Sequence, residues 1–325
     1  MTTTQADMPP VQYADLGEVT LAYHEVCRGQ GTPIIFCHGW PELSYSWRHQ
    51  LAACEAAGIW AIAPDQRGYG RSSRPEAVTD YDMEHLTGDL VALMDHLKIE
   101  KAIFCGHDWG GFVVWQMPLR HPTRTAGVIG VNTPYNPRGP MDPIAMFRMA
   151  MGERMYIVWF QTPGEADAYF AANTEKALRF LMRRPSEALA PPPVEGESRF
   201  DFRTYIDGWD GKSGSELVMS EAELAVFVET FKSTGFTGGI NWYRNFTRNW
   251  ERSADLPTRI DGLPCMMITA ERDPILTPAM AANMGDHISD LETHMVMGSG
   301  HWTQQERPDD VNRLITDWMS RRFPR

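Results

Sequence analysis

The residue types best suited to covalent chemistry lie in the six-residue stretch Gly106–Gly111, which reads GHDWGG. The apolar run Ala102–Cys105 precedes it and a helical pattern follows, which predicts a buried strand, a sharp turn of small residues and a helix. Asp108 stands in this turn where a serine nucleophile is usual. A carboxylate is a poor nucleophile for acyl transfer, but it can displace a leaving group at a saturated carbon and form an alkyl ester. The turn therefore predicts a covalent enzyme with Asp108 as its nucleophile.

Two further groups follow later strand candidates. Asp273 and His301 each lie in a loop directly after an apolar, strand-like run. The carboxyl ends of parallel strands meet at one edge of a sheet, so both side chains are expected to approach Asp108. The order nucleophile, acid, histidine along the chain is that of the α/β-hydrolase fold. Glu271 is an alternative acid, which we rank behind Asp273.

The segment Cys37–Glu42, which reads CHGWPE, follows another strand candidate. In the α/β-hydrolase fold this loop supplies one backbone N–H to the oxyanion, and the residue after the nucleophile supplies the other. The predicted oxyanion-hole donors are therefore the amides of Trp40 and Trp109. His38 is expected to shape the loop, and neither His38 nor His107 is expected to act directly in the chemistry.

Short apolar runs that alternate with helical patterns predict a mostly parallel sheet flanked by helices. The strand candidates are Ile34–Cys37, Trp60–Ala63, Ala102–Cys105, Val128–Val131, Cys265–Thr269 and Thr293–Met297. Apolar residues recur at helical spacing from Leu86 to Leu97 and again after Pro308, which predicts a helix in each place. Pro118 is expected to kink the helix that follows Asp108, or to end it after two turns.

The alternation stops between the fourth and fifth strand candidates, in a long stretch rich in Met, Trp, Phe and Pro. That stretch has the size of a domain and no convincing strand. We therefore predict an α/β-hydrolase core in residues 1–137 and 253–325, with a helical cap inserted at 138–252. Pro191–Pro193 mark an exposed loop within the cap. Open α/β sheets bind ligands at the carboxyl ends of their strands, where the cap is expected to lie.

Composition excludes several kinds of partner. The 325 residues carry a formal charge of −12, which disfavours nucleic acid and anionic membranes because both require a basic face. Neither a secretory leader nor a membrane-spanning apolar run is recognisable, so a cytoplasmic protein is expected. No zinc-binding cysteine spacing or HExxH motif is present, and we expect no metal and no other cofactor. Cys37, Cys105 and Cys265 lie in apolar runs and are expected to be buried, small hydrophobic residues.

Together, these motifs resemble those of the epoxide hydrolases of the soluble type, over nearly the whole chain from about Val11 onward. Members of that family have the α/β-hydrolase fold with an inserted helical cap, in which two tyrosines face the nucleophile. The matching segments here are Tyr156–Gln161 and Asn241–Asn245. The resemblance therefore implies Tyr156 and Tyr243 as the proton donors to the epoxide oxygen.

The resemblance also implies a reaction sequence. Asp108 attacks an epoxide carbon and forms a hydroxyalkyl ester while the protonated phenols assist ring opening. His301, oriented by Asp273, then activates a water that hydrolyses the ester to a vicinal diol. No cofactor is implied.

Aromatic residues close to these motifs suggest a large apolar pocket, suited to aryl or long-chain epoxides. The expected reactants are therefore a small apolar epoxide molecule and water. The expected pocket residues are Trp40, Trp109, Phe112, Trp159, Phe160, Trp242 and Trp302. An apolar cap face either covers such a pocket or pairs with a second copy, so a homodimer is one of the possible states.

Two other interpretations remain open. A haloalkane or haloacid dehalogenase has the same fold and an aspartate nucleophile. Haloalkane dehalogenases generally carry asparagine at the position of Trp40, and haloacid dehalogenases generally carry arginine at that of Trp109. Neither group uses the Tyr156/Tyr243 pair in this form. A non-catalytic binding protein of this fold is a remote alternative, because no member of the triad is missing.

Overall fold

The computed structural model describes residues 8–184, 200–212 and 216–324, so the predicted loop at Pro191–Pro193 lies outside the described residues. The chain forms two compact units. One, here called the core unit, comprises the described residues up to Arg74, Met83–Pro137 and those from Leu256 onward. The other, the cap unit, comprises Pro75–Asp82 and Arg138–Asp255.

The core unit contains an eight-stranded sheet. Its strands are β1 (Gln12–Asp15), β2 (Thr20–Val26), β3 (Ile34–Cys37), β4 (Ala61–Pro64), β5 (Ala102–His107), β6 (Thr125–Val131), β7 (Cys265–Ala270) and β8 (Leu291–Val296). They lie in the order β1-β2-β4-β3-β5-β6-β7-β8. The pairs β1–β2 and β2–β4 are antiparallel and all the other pairs are parallel. The predicted mostly parallel sheet is thereby confirmed.

All six strand candidates occur as strands, with ends displaced by three residues at most. The sequence analysis missed β1 and β2. Strand β1 lies at the edge of the sheet and most of its side chains reach solvent, while β2 carries His24 and Glu25. Neither strand therefore presents the continuous apolar run that marks a strand buried on both faces.

Helices surround the sheet in the core unit and make up the cap unit. They are α1 (Arg48–Ala57), α2 (Met83–Leu97), α3 (Trp109–Arg120), α4 (Pro143–Met151), α5 (Tyr156–Trp159), α6 (Glu165–Ala172), α7 (Thr174–Leu181), α8 (Phe202–Gly208), α9 (Glu221–Thr234), α10 (Thr237–Arg244), α11 (Phe246–Glu251), α12 (Thr303–Glu306) and α13 (Pro308–Arg322). The helices predicted at Leu86–Leu97 and after Pro308 are confirmed as α2 and α13. No described helix is both long and apolar enough to cross a bilayer.

A hydrophobic core forms where α1 and α13 pack on the sheet. It includes Leu51 of α1 and Ile315 and Trp318 of α13, against strand residues such as Phe36 and Ile103. The cysteines at 37, 105 and 265 are buried in strands as predicted, and burial raises the pKa of each thiol. In the cap unit the described residues form helices and no strand.

Of the two alternatives predicted at Pro118, an end of α3 after two turns is wrong, because the helix continues to Arg120, while a kink stays a prediction. A proline inside a helix costs the hydrogen bond of its own missing N–H. Pro118 lies in the last turn, and the next bonds are still made: the His121 amide donates to the Met117 carbonyl at 2.7 Å. Pro118 therefore removes one hydrogen bond of the helix and leaves the following ones intact.

Helix α3 begins unusually close to β3. A Cβ added at Gly110 would lie 1.9 Å from the carbonyl oxygen of Cys37. Real Cβ atoms do not approach backbone oxygen this closely, so a side chain at position 110 would push the helix away from the strand. A residue without a side chain is therefore required there.

Replacing Gly110 with alanine is expected to destabilise the protein by more than about 3 kcal/mol. Gly88 in α2 is a matched control, because no atom lies within 4 Å of its added Cβ. Gly88→Ala should stabilise the protein by roughly 0.5 to 1 kcal/mol, since alanine favours the helix. Equilibrium urea unfolding measures both changes. A Gly110→Ala protein as stable as the wild type would contradict the close packing.

Candidate active site

Asp108 occupies the turn between β5 and α3 in a strained backbone conformation, with φ 50° and ψ −121°. Positive φ is unfavourable for a residue with a side chain and persists only where the surroundings impose it. Gly39 is part of those surroundings: a Cβ at position 39 would lie 2.4 Å from Cβ of Asp108. The absent side chain of Gly39 therefore lets the loop after β3 approach the aspartate.

Two backbone amides donate to the Asp108 carboxylate. The N–H of Trp40 lies 2.8 Å from Oδ1, and the N–H of Trp109 is the second donor. Trp40 lies in the loop after β3, and Trp109 is the first residue of α3. Both predicted oxyanion-hole residues thus point their N–H groups at the predicted nucleophile.

His301 and Asp273 lie beside Asp108 in the core unit. Nδ1 of His301 is 2.9 Å from Oδ2 of Asp273, and Nε2 is 3.9 Å from Oδ2 of Asp108. The first distance is a hydrogen bond, and the second is too long for one. Glu271 instead accepts the Gly298 amide at 2.7 Å, on an exposed part of the loop. Asp273 is therefore the carboxylate that orients the imidazole.

Burial and charge together shift the pKa of every member of this group, and for Asp108 burial prevails. Burial opposes the charge on Asp273 and His301, but their attraction and hydrogen bond outweigh it. The pKa of Asp273 falls below its usual range, and that of His301 rises to about 9, with the charge of Asp108 contributing. Burial raises the pKa of the Asp108 carboxyl, while His301, His107 and the two backbone amides act in the opposite direction. At neutral pH the unreacted site therefore carries an imidazolium between two carboxyl groups.

Tyr156 and Tyr243 come together in the cap unit. Tyr156 begins α5 and Tyr243 lies near the end of α10, and their ring centroids are 5.7 Å apart. Phe160 contacts both rings, with centroid distances of 5.5 Å to Tyr156 and 5.0 Å to Tyr243. Tyr156 also stacks on Phe202 at 4.2 Å. The two predicted proton donors are thus neighbours, although 87 positions separate them in sequence.

The predicted pocket residues differ in exposure. Trp40, Trp109 and Trp302 are buried in the core unit, and Trp302 packs edge-on against the His301 ring at 4.8 Å. Phe112 is 37% exposed and contacts the ring of Trp109. In the cap unit Phe160 and Trp242 are fully buried and Trp159 is partly exposed. A role in substrate binding stays a prediction for all seven residues.

Comparisons with known proteins identify the family. The alpha/beta hydrolase fold family matches residues 32–308 of this chain. Epoxide hydrolase A of Mycobacterium tuberculosis is 40% identical over 321 residues, which cover 96% of this chain and 98% of that protein. The chain belongs to the epoxide hydrolases of the α/β-hydrolase fold. Both the resemblance and the fold class inferred from the sequence are thereby confirmed.

Other members of the epoxide hydrolase family are similar over the same region. The crystal structure of epoxide hydrolase A from Mycobacterium thermoresistibile superposes with a TM-score of 0.85 at 36% identity, covering 95% of this chain and 97% of that one. Bifunctional epoxide hydrolase 2 of Sus scrofa is 35% identical over 91% of this chain. This chain spans about half of that relative, 53% of its length.

Three polar residues fix the His301 loop of this epoxide hydrolase family member by hydrogen bonds. The sequence analysis did not single them out. The Glu306 carboxylate accepts the amides of Gly300 and Trp302, both at 3.0 Å. The Asn132 side-chain amide donates to Asp273 at 2.6 Å and to the His301 carbonyl at 3.1 Å. Asn132 has a φ of 62°, a conformation that asparagine tolerates better than most residues. The peptide groups around the imidazole are therefore fixed from both sides.

Glu42 is the third of these residues, and it acts through His107. Its carboxylate accepts the Gly39 amide at 2.9 Å and contacts Nδ1 of His107 at 2.8 Å. Nε2 of His107 donates to the His301 carbonyl at 2.7 Å. Burial opposes ionisation of Glu42, but His107 and the other donors lower its pKa to about 2. The sequence shows an acidic residue directly after the CHGWP segment, and this was the only sign of its role.

His38 bonds to the backbone of its own loop and of a neighbouring loop. Nδ1 lies 3.0 Å from the Gly39 carbonyl, and Nε2 accepts the Gln66 amide at 3.1 Å. The ring therefore shapes the loop. No group of three His, Cys, Asp or Glu side chains suited to a metal ion occurs among the residues that the structure describes.

Neutralising Asp108 should lower the pKa of His301. Because the Asp108 charge stabilises the imidazolium 3.9 Å away, Asp108→Asn is expected to move that pKa from about 9 toward the ordinary value of 6.5. NMR titration of the His301 ring measures it. Glu271→Gln is the control and should leave the titration unchanged. An unaltered His301 pKa in Asp108→Asn would show that the two groups are not electrostatically coupled.

Proposed function

We propose that this protein hydrolyses epoxides to vicinal diols through a covalent ester on Asp108. The observation that carries the proposal is a buried carboxylate at a strained turn, with two backbone amides on one side and an acid-oriented imidazole on the other. The names of the related epoxide hydrolases support the same substrate class. No cofactor enters the reaction.

Ring opening is the first half-reaction. The Asp108 carboxylate attacks one epoxide carbon from the side opposite the C–O bond, which breaks as the ester forms. Tyr156 and Tyr243 donate hydrogen bonds to the oxygen as its charge develops, and one phenol transfers its proton. Their neighbouring positions in the cap unit support a joint role on a single oxygen atom.

Ester formation changes the electrostatics of the site. An alkylated Asp108 has no charge, so the imidazolium of His301 loses one of the two carboxylates that stabilise it. Its pKa falls, and the proton that it releases restores the phenol that gave its own to the opened ring. Neutral His301 is then a competent base. The first half-reaction thus prepares the base for the second.

Ester hydrolysis completes the cycle. Neutral His301 removes a proton from a water molecule, whose oxygen attacks the carboxyl carbon of Asp108. The amides of Trp40 and Trp109 stabilise the tetrahedral oxyanion. The ester C–O bond then breaks, the departing alkoxide takes the proton from His301, and the new carboxylic acid returns its proton to His301. Asp108 is again a carboxylate and His301 an imidazolium, as at the start.

We also propose that the substrate is a small apolar epoxide. The support is the aromatic character of the residues beside the reacting groups, among them Trp302 on the His301 ring and Phe202 on Tyr156. Aromatic walls favour apolar ligands and exclude water from the reacting atoms.

A variant without the base separates the two half-reactions. His301→Gln should still be alkylated by styrene oxide but should not hydrolyse the ester, because no group removes the proton from water. Intact-protein mass spectrometry is expected to detect an adduct of one enzyme plus one epoxide, and peptide mapping to place it on Asp108. Asp108→Ala in the same background is the control and should form none. If His301→Gln is recovered without an adduct, the roles assigned to Asp108 and His301 are wrong.

A further inference from the structure

The guanidinium of Arg244, at the end of α10, donates hydrogen bonds to four other residues. It donates to both carboxylate oxygens of Asp167, at 2.5 and 3.2 Å, and to the Asn241 side chain at 2.8 Å. It also donates to the backbone carbonyls of Phe160 at 3.0 Å and Thr162 at 3.4 Å. The Arg244 and Asp167 side chains are only 7% and 14% exposed. One buried cation therefore joins α10, α6 and the chain segment that follows α5.

These contacts bear on the two tyrosines. Arg244 directly follows Tyr243, and the carbonyl that it holds belongs to Phe160, whose ring contacts both phenol rings. Gln161 makes a second tie, since its side-chain amide donates to the carbonyls of Ile157 at 2.8 Å and Tyr243 at 3.1 Å. The separation of the phenols therefore depends on how α5 and α10 are tied together.

We propose that the Arg244–Asp167 ion pair positions Tyr156 and Tyr243 for ring opening and has no part in ester hydrolysis. The inference rests on the proposed function, in which the phenols act only in the first half-reaction. Arg244 and Asp167 are positioning residues, because they act through the backbone of α5 and α10 and not on the substrate.

The chemistry of the pair suits this role. A planar guanidinium that bonds to a carboxylate through two nitrogens fixes orientation as well as distance, which a lysine ammonium does not. Burial opposes the charge on Asp167, but hydrogen bonds from Arg244 and Thr237 prevail and lower its pKa. The Asp167 carboxylate is therefore charged throughout the neutral pH range, so its ion pair with Arg244 persists over that range.

The test measures each half-reaction separately. Arg244→Lys and Asp167→Asn are each combined with His301→Gln, and the rate of adduct formation with styrene oxide is followed by rapid quench and mass spectrometry. We expect alkylation to slow by about tenfold to a hundredfold, the usual effect of a small misplacement of a reacting group. Tyr243→Phe in the same background gives the loss expected when a donor is removed outright. With His301 intact, the decay of ester formed in a single turnover should be unchanged.

A second ion pair of the cap unit provides the control. Arg179 binds Glu221 at 2.6 and 2.8 Å through both guanidinium nitrogens, on the exposed side of α7 and α9. Arg179→Gln should alter neither half-reaction. Should Asp167→Asn not fold, the double variant Arg244→Gln/Asp167→Asn leaves no uncompensated buried charge and takes its place in the test.

The outcomes distinguish the inference from the function on which it rests. Slower alkylation with an unchanged ester decay supports the positioning role. Alkylation at the parental rate in the folded variants overturns it, and so does an equal slowing of both half-reactions, which would indicate general loosening of the protein. Failure of the His301→Gln parent itself to form an adduct overturns the covalent mechanism and the inference together.

Discussion

The proposed chemistry requires an ionised Asp108 carboxylate in a buried site, and this requirement is the constraint on which the rest of the structure depends. Burial favours the neutral acid, which is a poor nucleophile, and the surrounding groups act against that preference. The amides of Trp40 and Trp109 donate to it, and the imidazolium of His301 lies 3.9 Å away. The same donors suit the tetrahedral oxyanion of the proposed second step, so in the proposed mechanism a single arrangement serves both the nucleophile and its ester.

Holding the donors around one carboxylate requires close backbone packing. The loop after β3 approaches Asp108 because Gly39 has no side chain, and α3 approaches β3 because Gly110 has none. His301 is fixed through its backbone by Glu306, by Asn132 and, through His107, by Glu42. The precision of the site therefore comes from hydrogen bonds to peptide groups as much as from the reacting side chains.

The sequence was sufficient to predict the sheet of the core unit and the approach of Asp108, Asp273 and His301 to one another, while their catalytic roles stay a proposal. Asp108, Asp273 and His301 each follow an apolar run, and the geometry of parallel strands alone brings such loops together. The structure brings these three side chains together as expected. It also brings together Tyr156 and Tyr243, which only the family resemblance had paired.

What the sequence did not predict depends on contacts between distant segments. Strand β2 carries polar residues and is recognisable only beside β4. The segment Pro75–Asp82 groups with the cap unit, where Asp82 bonds to Arg248 at 2.8 Å, a pairing across 166 positions. Asn132 and Arg244 likewise bond to residues that are remote in sequence, and no local pattern reveals those partners. Spacing predicts which face a residue lies on, but it does not predict which remote group that residue will meet.

The central claim is that Asp108 forms a covalent bond to the substrate. A single turnover with enzyme in excess over styrene oxide, in water enriched in the heavy oxygen isotope, tests it most directly. The account predicts that the first diol carries only ordinary oxygen, because its new oxygen atom comes from the Asp108 carboxylate. The isotope should appear in diol formed in later turnovers, once water has replaced that carboxylate oxygen. A first diol that is already fully labelled would mean that water attacks the epoxide directly, and would contradict the covalent mechanism.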